Sequence, residues 1–413
     1  MINTLKGDRI NICFVGKINV GKSSIINKLV GQNISIISEQ AGTTTDAVIK
    51  RYELHPIGPV TFFDTAGYDD ISALGEKRHN ATMKVIFKAD LAIVVLDNNG
   101  LEESDILMIN KLKALKVPFF IVLNKIDLNE NSKDISQTIK SILENKDFSD
   151  NLTNDLITFS TFSIDIDIIK NKIVSFIQSL RKEDSSILKD LIKKNDKIIL
   201  VMPIDSAAPK GRIILPQMQV LREILDVGAI ATCCNVSETE NIDGLTEALE
   251  AQKYTPRYVI TDSQVVKFVS SVVPKEVEMT TFSILFARQR GELKVFLDGL
   301  NVLKEIKQDD NILIAEACSH HATGEDIGTV KIPKWLEHYL GFAPKTVKIN
   351  GGDFPDDLEK YKIVIHCGGC MMTKTEMMRR INECQRQGIA ITNYGMIISE
   401  MNGVLSRCVK GLL

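Results

Sequence analysis

The chain has 413 residues, more than one hydrophobic core usually supports, so two or three domains are expected. Hydrophobic residues at 44% and charged residues at 25% are ordinary globular values, and a net charge of −3 argues against a broad footprint for nucleic acid or anionic membrane. No apolar run reaches bilayer length, and polar Met1–Arg9 leads into a strand without an export signal, so a cytoplasmic protein is expected. In that setting eight cysteines ask for a metal, a catalytic role or burial rather than disulfides.

Ile10–Val15 reads as a short apolar strand running into Gly16-Lys17-Ile18-Asn19-Val20-Gly21-Lys22-Ser23, with a helix from Ser24 to Val30. This is phosphate-loop spacing in its required strand–loop–helix setting. Gly16, Val20, Gly21 and Ser24 form the backbone cradle, whose N–H groups turn toward a β-phosphate at the positive end of the helix. Lys22 reaches the β- and γ-phosphates, and the Ser23 hydroxyl is a ligand for Mg²⁺. Gly42-Thr43-Thr44-Thr45-Asp46 follows in a loop, where Thr44 can reach the metal only when a γ-phosphate is present. The strand Val60–Phe63 ends in Asp64-Thr65-Ala66-Gly67, which places Asp64 to hold the magnesium through water and Gly67 to offer its N–H to the γ-phosphate.

Directly after the strand Val117–Leu123 comes Asn124-Lys125-Ile126-Asp127. The Asp127 carboxylate can accept from both guanine N1–H and the exocyclic amine, a pattern adenine lacks. Asn124 braces the loop and the Lys125 stem covers the ring. Ser160-Thr161 is a weak match to the last base-contacting loop. The expected ligand is therefore GTP with Mg²⁺.

Strands near residues 10, 48, 60, 91, 118 and 156 alternate with helical patterns, which gives a mostly parallel α/β sheet with its site at the strand C-termini. The order resembles the Ras-like translation-factor class of GTPases, nearest to the Era and TrmE branch, whose switch reads Gly-Thr-Thr-Arg-Asp; Thr45 stands here in place of that arginine. Tyr68 occupies the position where Ras-type enzymes carry a water-orienting glutamine, so slow hydrolysis is expected and no residue is assigned as catalytic. In TrmE-like relatives a phosphate-loop asparagine binds K⁺, and Asn19 stands at that position; the alternative is that Asn19 only caps the loop.

A charged stretch at Arg181–Ser186 reads as a linker, and a second joint is expected near Val273–Glu278, giving segments 1–180, 186–272 and 277–413. In the middle segment Lys197–Pro203 and Ala229–Asn235 read as buried strands, with helices from Pro216 and near Asp243. Cys233-Cys234 at a strand end is read as buried, and packing or self-association fits this segment better than chemistry.

In the last segment, three cysteines and two histidines fall on two short loops. Cys318-Ser319-His320 follows the strand Asn311–Ala317, and His366-Cys367-Gly368-Gly369-Cys370 follows Tyr361–Ile365. Two such loops at parallel strand ends can converge on one crevice. The residue types leave three readings open: idle or buried side chains, a Cys₃His zinc site, or an iron–sulfur cluster with a replaceable fourth ligand. Cys384 and Cys408 read as structural.

Cys-x-His, a spacer, then His-Cys-x-x-Cys, behind an Era-like GTPase domain, resembles the HydF family of FeFe-hydrogenase maturation GTPases. The resemblance runs the full chain and includes Pro203-Ile204-Asp205-Ser206-Ala207-Ala208-Pro209-Lys210-Gly211-Arg212. It implies a Ras-like P-loop domain, an α/β dimerisation domain and a Rossmann-like α/β cluster domain. It implies a 4Fe–4S cluster on Cys318, Cys367 and Cys370, with His320 and His366 as ligands or neighbours. It further implies a homodimer or larger assembly that receives a diiron precursor from radical-SAM maturases and delivers it to apo-hydrogenase. The competing expectations are a GTPase acting on RNA or the ribosome with a structural metal, and an iron–sulfur redox or oxygen sensor. Membrane and nucleic-acid partners are not expected.

Overall fold

A computed structural model describes residues 9–31, 47–69, 75–128, 132–145, 156–160, 166–181, 186–188, 190–203, 213–236, 243–251, 255–317, 326–351, 354–369 and 372–413. They form two compact units, Met1–Asp184 and Ser185–Leu413, which part inside the charged Arg181–Ser186 stretch.

The first unit runs β1 (Ile10–Val15), α1 (Lys22–Val30), β2 (Val48–Leu54), β3 (Gly58–Asp64), α2 (Gly75–Lys88), β4 (Leu91–Leu96), α3 (Glu103–Ala114), β5 (Phe119–Leu123), α4 (Ser132–Asn145), β6 (Leu156–Thr158) and α5 (Asp167–Arg181). Its sheet has the order β2-β3-β1-β4-β5-β6, with only the β2–β3 pair antiparallel. The central strands are buried on both faces, so they read as continuous apolar runs whose alternate residues feed different cores. Ile12 and Phe14 join the core with Ile25, Ile26 and Ile173, whereas Cys13 and Val15 join the one with Ile86, Ile109 and Leu112. Phe14 lies opposite Asp64 and Leu123 opposite Thr158, so the loops after β1, β3, β5 and β6 leave the same sheet edge.

The second unit runs β7 (Lys197–Val201), α6 (Leu215–Val227), β8 (Ile230–Cys234), α7 (Asp243–Glu250), β9 (Tyr258–Thr261), α8 (Val266–Val272), β10 (Glu278–Thr281), α9 (Phe282–Arg290), α10 (Leu293–Gly299), β11 (Asn311–Glu316), α11 (Ile332–Leu340), β12 (Lys345–Asn350), β13 (Ile363–His366), α12 (Lys374–Arg386), β14 (Ala390–Asn393), α13 (Tyr394–Met401) and α14 (Leu405–Val409). Two four-stranded parallel sheets result, β10-β9-β7-β8 and β12-β11-β13-β14. One continuous core joins them, from Ile198–Val201 through Ile284–Phe286 on α9 to Ile312–Ile314 and Ile363–Ile365. Side-chain caps start the helices around this junction, with Thr281 bonding the Ile284 N–H, Thr373 the Glu376 N–H and Asn393 the Met396 N–H. Among the described residues no helix is long and apolar enough to cross a membrane.

Two expectations need correction. The chain does not part at 273–277, because β10 pairs in parallel with β9 and thereby belongs to the first of the two sheets. Nor is β8 a buried strand. It is the outer strand of its sheet, Cys233 is exposed and Cys234 half-buried, and Ile230 is 51% exposed. The apolar composition of β8 suggests burial, but its place in the strand order leaves one side open.

Candidate functional site

The loop from Gly16 to Ser23 wraps around its own lysine. Lys22 Nζ donates to the carbonyls of Gly16 at 2.8 Å and Lys17 at 2.7 Å, which aims the ammonium across the mouth of the loop. Burial pushes this ammonium down to about 8, against the pull of Asp64 and Asp69. Ser23 Oγ donates to Asp64 at the end of β3, so two of the three side chains expected at the magnesium already touch. Gly67 lies so close to the loop that a Cβ there would come within 2.6 Å of the Ile18 nitrogen, and only glycine fits. The Ile18 N–H donates to Asp69 at 2.8 Å and holds the same approach. Thr44 lies outside the described residues.

The base-reading loop is braced from below. Asn124 is fully buried and its Nδ2 donates to the Val20 carbonyl at 2.9 Å, linking the guanine loop to the phosphate loop. Lys125 takes a left-handed φ of 61°, which turns the chain into the short 3₁₀ segment Ile126–Leu128. Asp127 is exposed, and it accepts a hydrogen bond from Ser160 Oγ. Motif spacing lends Ser160 little weight, yet its hydroxyl is bonded to the Asp127 carboxylate; Thr161 lies outside the described residues. Asn19 is exposed with a left-handed φ of 63°, and α1 begins after Gly21 at its N-cap.

Tyr68 does not point at the phosphate position. Its hydroxyl donates to Asp105 on α3, which also faces Lys17 at 3.7 Å, while Lys17 pairs with Glu102 at 2.7 Å. Burial pushes both the Asp105 carboxyl and the Tyr68 phenol up. This Lys17–Asp105–Tyr68 tie between the phosphate loop, α3 and the segment after Gly67 carries no motif in the sequence.

In the second unit β11 and β13 are neighbours with Ala315 opposite His366, so the chain leading to Cys318 and the loop carrying Cys367 start side by side. The Cys367 N–H donates to the Ala315 carbonyl at 2.9 Å, and the Ala317 N–H donates to Cys367 Sγ at 3.1 Å. Cys318, His320 and Cys370 lie outside the described residues. Among the described residues no group of three His, Cys, Asp or Glu side chains stands ready for a metal.

His366 is fully buried, and both its ring nitrogens are engaged. Arg380 donates to Nε2 at 3.0 Å and Nδ1 faces the Cys367 carbonyl at 2.7 Å, so the ring is the neutral Nδ1–H tautomer. Burial and then the Arg380 charge push it down to about 3. Of the two roles expected for His366, ligand or neighbour, this geometry agrees with the neighbour, because the lone pair on Nε2 accepts from a guanidinium. Arg380 is itself fully buried and pairs with Glu376 at 3.1 Å and the Gly351 carbonyl at 2.8 Å. A second buried guanidinium, Arg290, reaches the loop from α9. A sulfur that receives an N–H bond, with buried guanidinium groups bonded to the adjoining His366 and Gly369, suits an anionic iron–sulfur cluster. Cys384 and Cys408 are buried in helices, and burial pushes their thiols up to about 12 and about 11, as inert structural cysteines.

This geometry defines a P-loop GTPase domain followed by two parallel α/β modules. Residues 11–125 match the family model described as 50S ribosome-binding GTPase. Residues 187–291 match the Hydrogen maturase F dimerization domain and 294–411 the Hydrogen maturase F tetramerization domain. The chain belongs to the hydrogen maturase F family. Curated relatives of its GTPase domain include GTPase Era of Pasteurella multocida (strain Pm70), 34% identical over 142 residues, covering 33% of this chain and 45% of that protein. GTPase Der of a Nitratiruptor species is 36% identical over 131 residues, covering 31% of this chain and 28% of that protein. The chain thus spans less than half the length of these relatives. A solved structure of Aquifex aeolicus Era bound to GDP and AlF4⁻ aligns at 21% identity and a TM-score of 0.33, covering 59% of this chain and 98% of that one.

Proposed function

We propose that this chain is a GTP-hydrolysing scaffold that matures FeFe-hydrogenase. The observation that carries the reading is the joining, in one chain, of a GTPase domain to both hydrogen maturase F modules, with Cys367 held beside the strand end that leads to Cys318. Lys22, Ser23 and Asp64 hold the phosphates and Mg²⁺, with Thr44 joining when the γ-phosphate is present; Asp127, set by Ser160, reads guanine. Asn19 offers its side chain to a K⁺ at the phosphates. Hydrolysis is slow because Tyr68 is turned to Asp105 and orients no water.

Cys318, Cys367 and Cys370 would hold a 4Fe–4S cluster, which supplies an iron with one exchangeable position. The cargo is a diiron precursor, received from radical-SAM maturases and passed to apo-hydrogenase. Self-association uses the open side of β8 and the apolar residues of the same module, Ile230, Met218 and Leu225, all more than half exposed. An outer strand of the described sheet beside exposed apolar side chains is a template for a second copy.

The test is anaerobic reconstitution with iron and sulfide, followed by EPR and activation of apo-hydrogenase. Wild-type protein is expected to give a 4Fe–4S signal and to activate, whereas Cys367→Ala loses both and keeps its GTPase rate. Absence of iron in the wild type, together with co-sedimentation with ribosomes, would put the RNA-acting GTPase in its place.

A further inference from the structure

Two helical faces of the second unit line a cavity of about 590 Å³ that belongs to neither site described above. Gln264, Lys267 and Phe268 stand at i, i+3 and i+4 through α8 and the 3₁₀ turn before it, so they share one face. Lys331, Lys334 and Trp335 repeat that spacing into α11. A helix face buried against a neighbour ordinarily carries apolar side chains. Here each face sets a lysine directly before an aromatic ring, Lys267-Phe268 and Lys334-Trp335.

A single π-helical turn, Ile327–Lys331, leads into α11, and the Lys331 N–H bonds the Asp326 carbonyl at 3.1 Å, five residues back. Gly328 in that turn lies so close to Glu316 and Tyr394 that a Cβ would come within 2.4 Å of an oxygen of either. Wide turns of this kind recur at functional sites. Lys331 Nζ donates to Gln264 Oε1 at 2.7 Å and so ties the two faces together. Lys267 and Lys334 are exposed, while Phe268 and Trp335 are part-buried against the core. Among the described residues that line the cavity there is no carboxylate. Residues 264–268 lie in the part that matches the dimerization domain and 331–335 in the part that matches the tetramerization domain.

We propose that this cavity binds a nucleoside diphosphate, a flat ring joined to a compact polyanion. The lysines meet the phosphate oxygens as point charges. Phe268 and Trp335 meet the base, whose π-face stacks on an aromatic ring whatever its identity. The volume falls within the roughly 300–1,000 Å³ of small-molecule sites. No lining residue belongs to a strand that an added peptide could extend, which favours a small molecule over a protein segment. Because its two faces come from different modules, the bound ligand stabilises their docking. The site shares no residue with the phosphate loop or the cysteine turn, so it stands independently of both.

Trp335 is the only tryptophan in the chain, so its fluorescence reports on this cavity and not on the GTPase unit. Full-length protein is titrated with ADP, whose adenine lacks the donor pattern that Asp127 reads. A saturable change in Trp335 emission is expected. Lys267→Gln and Lys334→Gln should each weaken ADP about tenfold, the scale of one charge-assisted contact to phosphate. Phe268→Leu, which keeps an apolar side chain but no ring, should weaken ADP by a similar factor and leave inorganic pyrophosphate unaffected. No saturable change at millimolar ADP, or wild-type affinity in both lysine variants, overturns the proposal. Pyrophosphate binding as tightly as ADP overturns it too, because the rings then contribute nothing. A response to a peptide of glutamate and tyrosine, with none to ADP, would assign the cavity to a protein segment instead.

Discussion

In the first unit the groups that would meet the nucleotide come from one contiguous loop and from the residues just past β3 and β5. In the second unit, Cys367 Sγ accepts from the Ala317 N–H across a strand pair, while Arg380 on α12 bonds the neighbouring His366 and Arg290 on α9 bonds the Gly369 carbonyl. The first site is thus held largely by backbone geometry around its own loops, with Asn124 bracing the base loop against the phosphate loop. The second depends on buried charge delivered from other elements. Damage far from the chemistry should therefore spare the first site and disable the second.

The strongest way to break this contrast is Glu376→Ala. Arg380 has no exposed surface, and Glu376 is the carboxylate paired with it in the described residues. Removing one partner of a buried ion pair costs about 3–5 kcal/mol, because the remaining charge stays unpaired in low dielectric. Two-step denaturant unfolding should show that loss in the second unit alone, with GTP hydrolysis unchanged at low denaturant. Glu376→Gln, which keeps the acceptor, should cost less. A loss below about 1 kcal/mol for Glu376→Ala would mean that the carbonyl of Gly351 and the His366 ring already balance the guanidinium.

The same contrast explains what can be read from the chain. Gly16 to Ser23 and Asn124 to Asp127 are legible because phosphate and guanine each demand fixed residue types at fixed spacing. Ser160 is easily underweighted because its partner Asp127 lies 33 positions away and no spacing rule joins them. The pairing of β11 with β13 puts the two cysteine loops on one sheet edge, as parallel strands with crossover helices imply. Arg290 and Arg380 cannot be found this way, since arginines on a helix ordinarily face water and only the packing of α9 and α12 buries them. β8 misleads for the same reason, since its edge position is a product of tertiary order, as is the guanidinium partner of the His366 ring.

A smaller effect sharpens the first half of the comparison. Lys22 is held down to about 8 by burial, below the 10.5 of an exposed lysine. Between those values the unfolded chain binds the proton and the empty folded domain does not, so the stability of the nucleotide-free unit should rise with pH there. GTP acts oppositely, because its phosphates favour the ammonium. Affinity for GTP should fall above pH 8, by up to about tenfold per pH unit, which is the linkage limit for one proton. Binding of a fluorescent GTP analogue from pH 7 to 9.5 measures this. A flat profile would mean that Lys22 stays charged throughout and that its grip on the loop carbonyls, rather than its charge, is the anchor.

The smallest expected effect concerns Asn19 and K⁺. Its side chain is exposed, makes no hydrogen bond with the described residues, and stands on a left-handed backbone at φ 63°. Asparagine tolerates that conformation, whereas alanine pays roughly 1–2 kcal/mol for it. Asn19→Ala alone would therefore confuse a lost ligand with a strained loop. Asn19→Gly removes the side chain without the strain, so the two variants together isolate the oxygen. If Asn19 ligates K⁺, wild-type hydrolysis is faster in K⁺ than in Na⁺ at equal ionic strength, and both variants reduce that ratio. The reduction should be about two- to tenfold, since one neutral oxygen ligand is worth about as much as one hydrogen bond, roughly 0.5–1.5 kcal/mol. A wild-type ratio of one would remove K⁺ from the mechanism. A ratio lost in Asn19→Ala but kept in Asn19→Gly would show that the loop's shape, and not the amide, selects the cation.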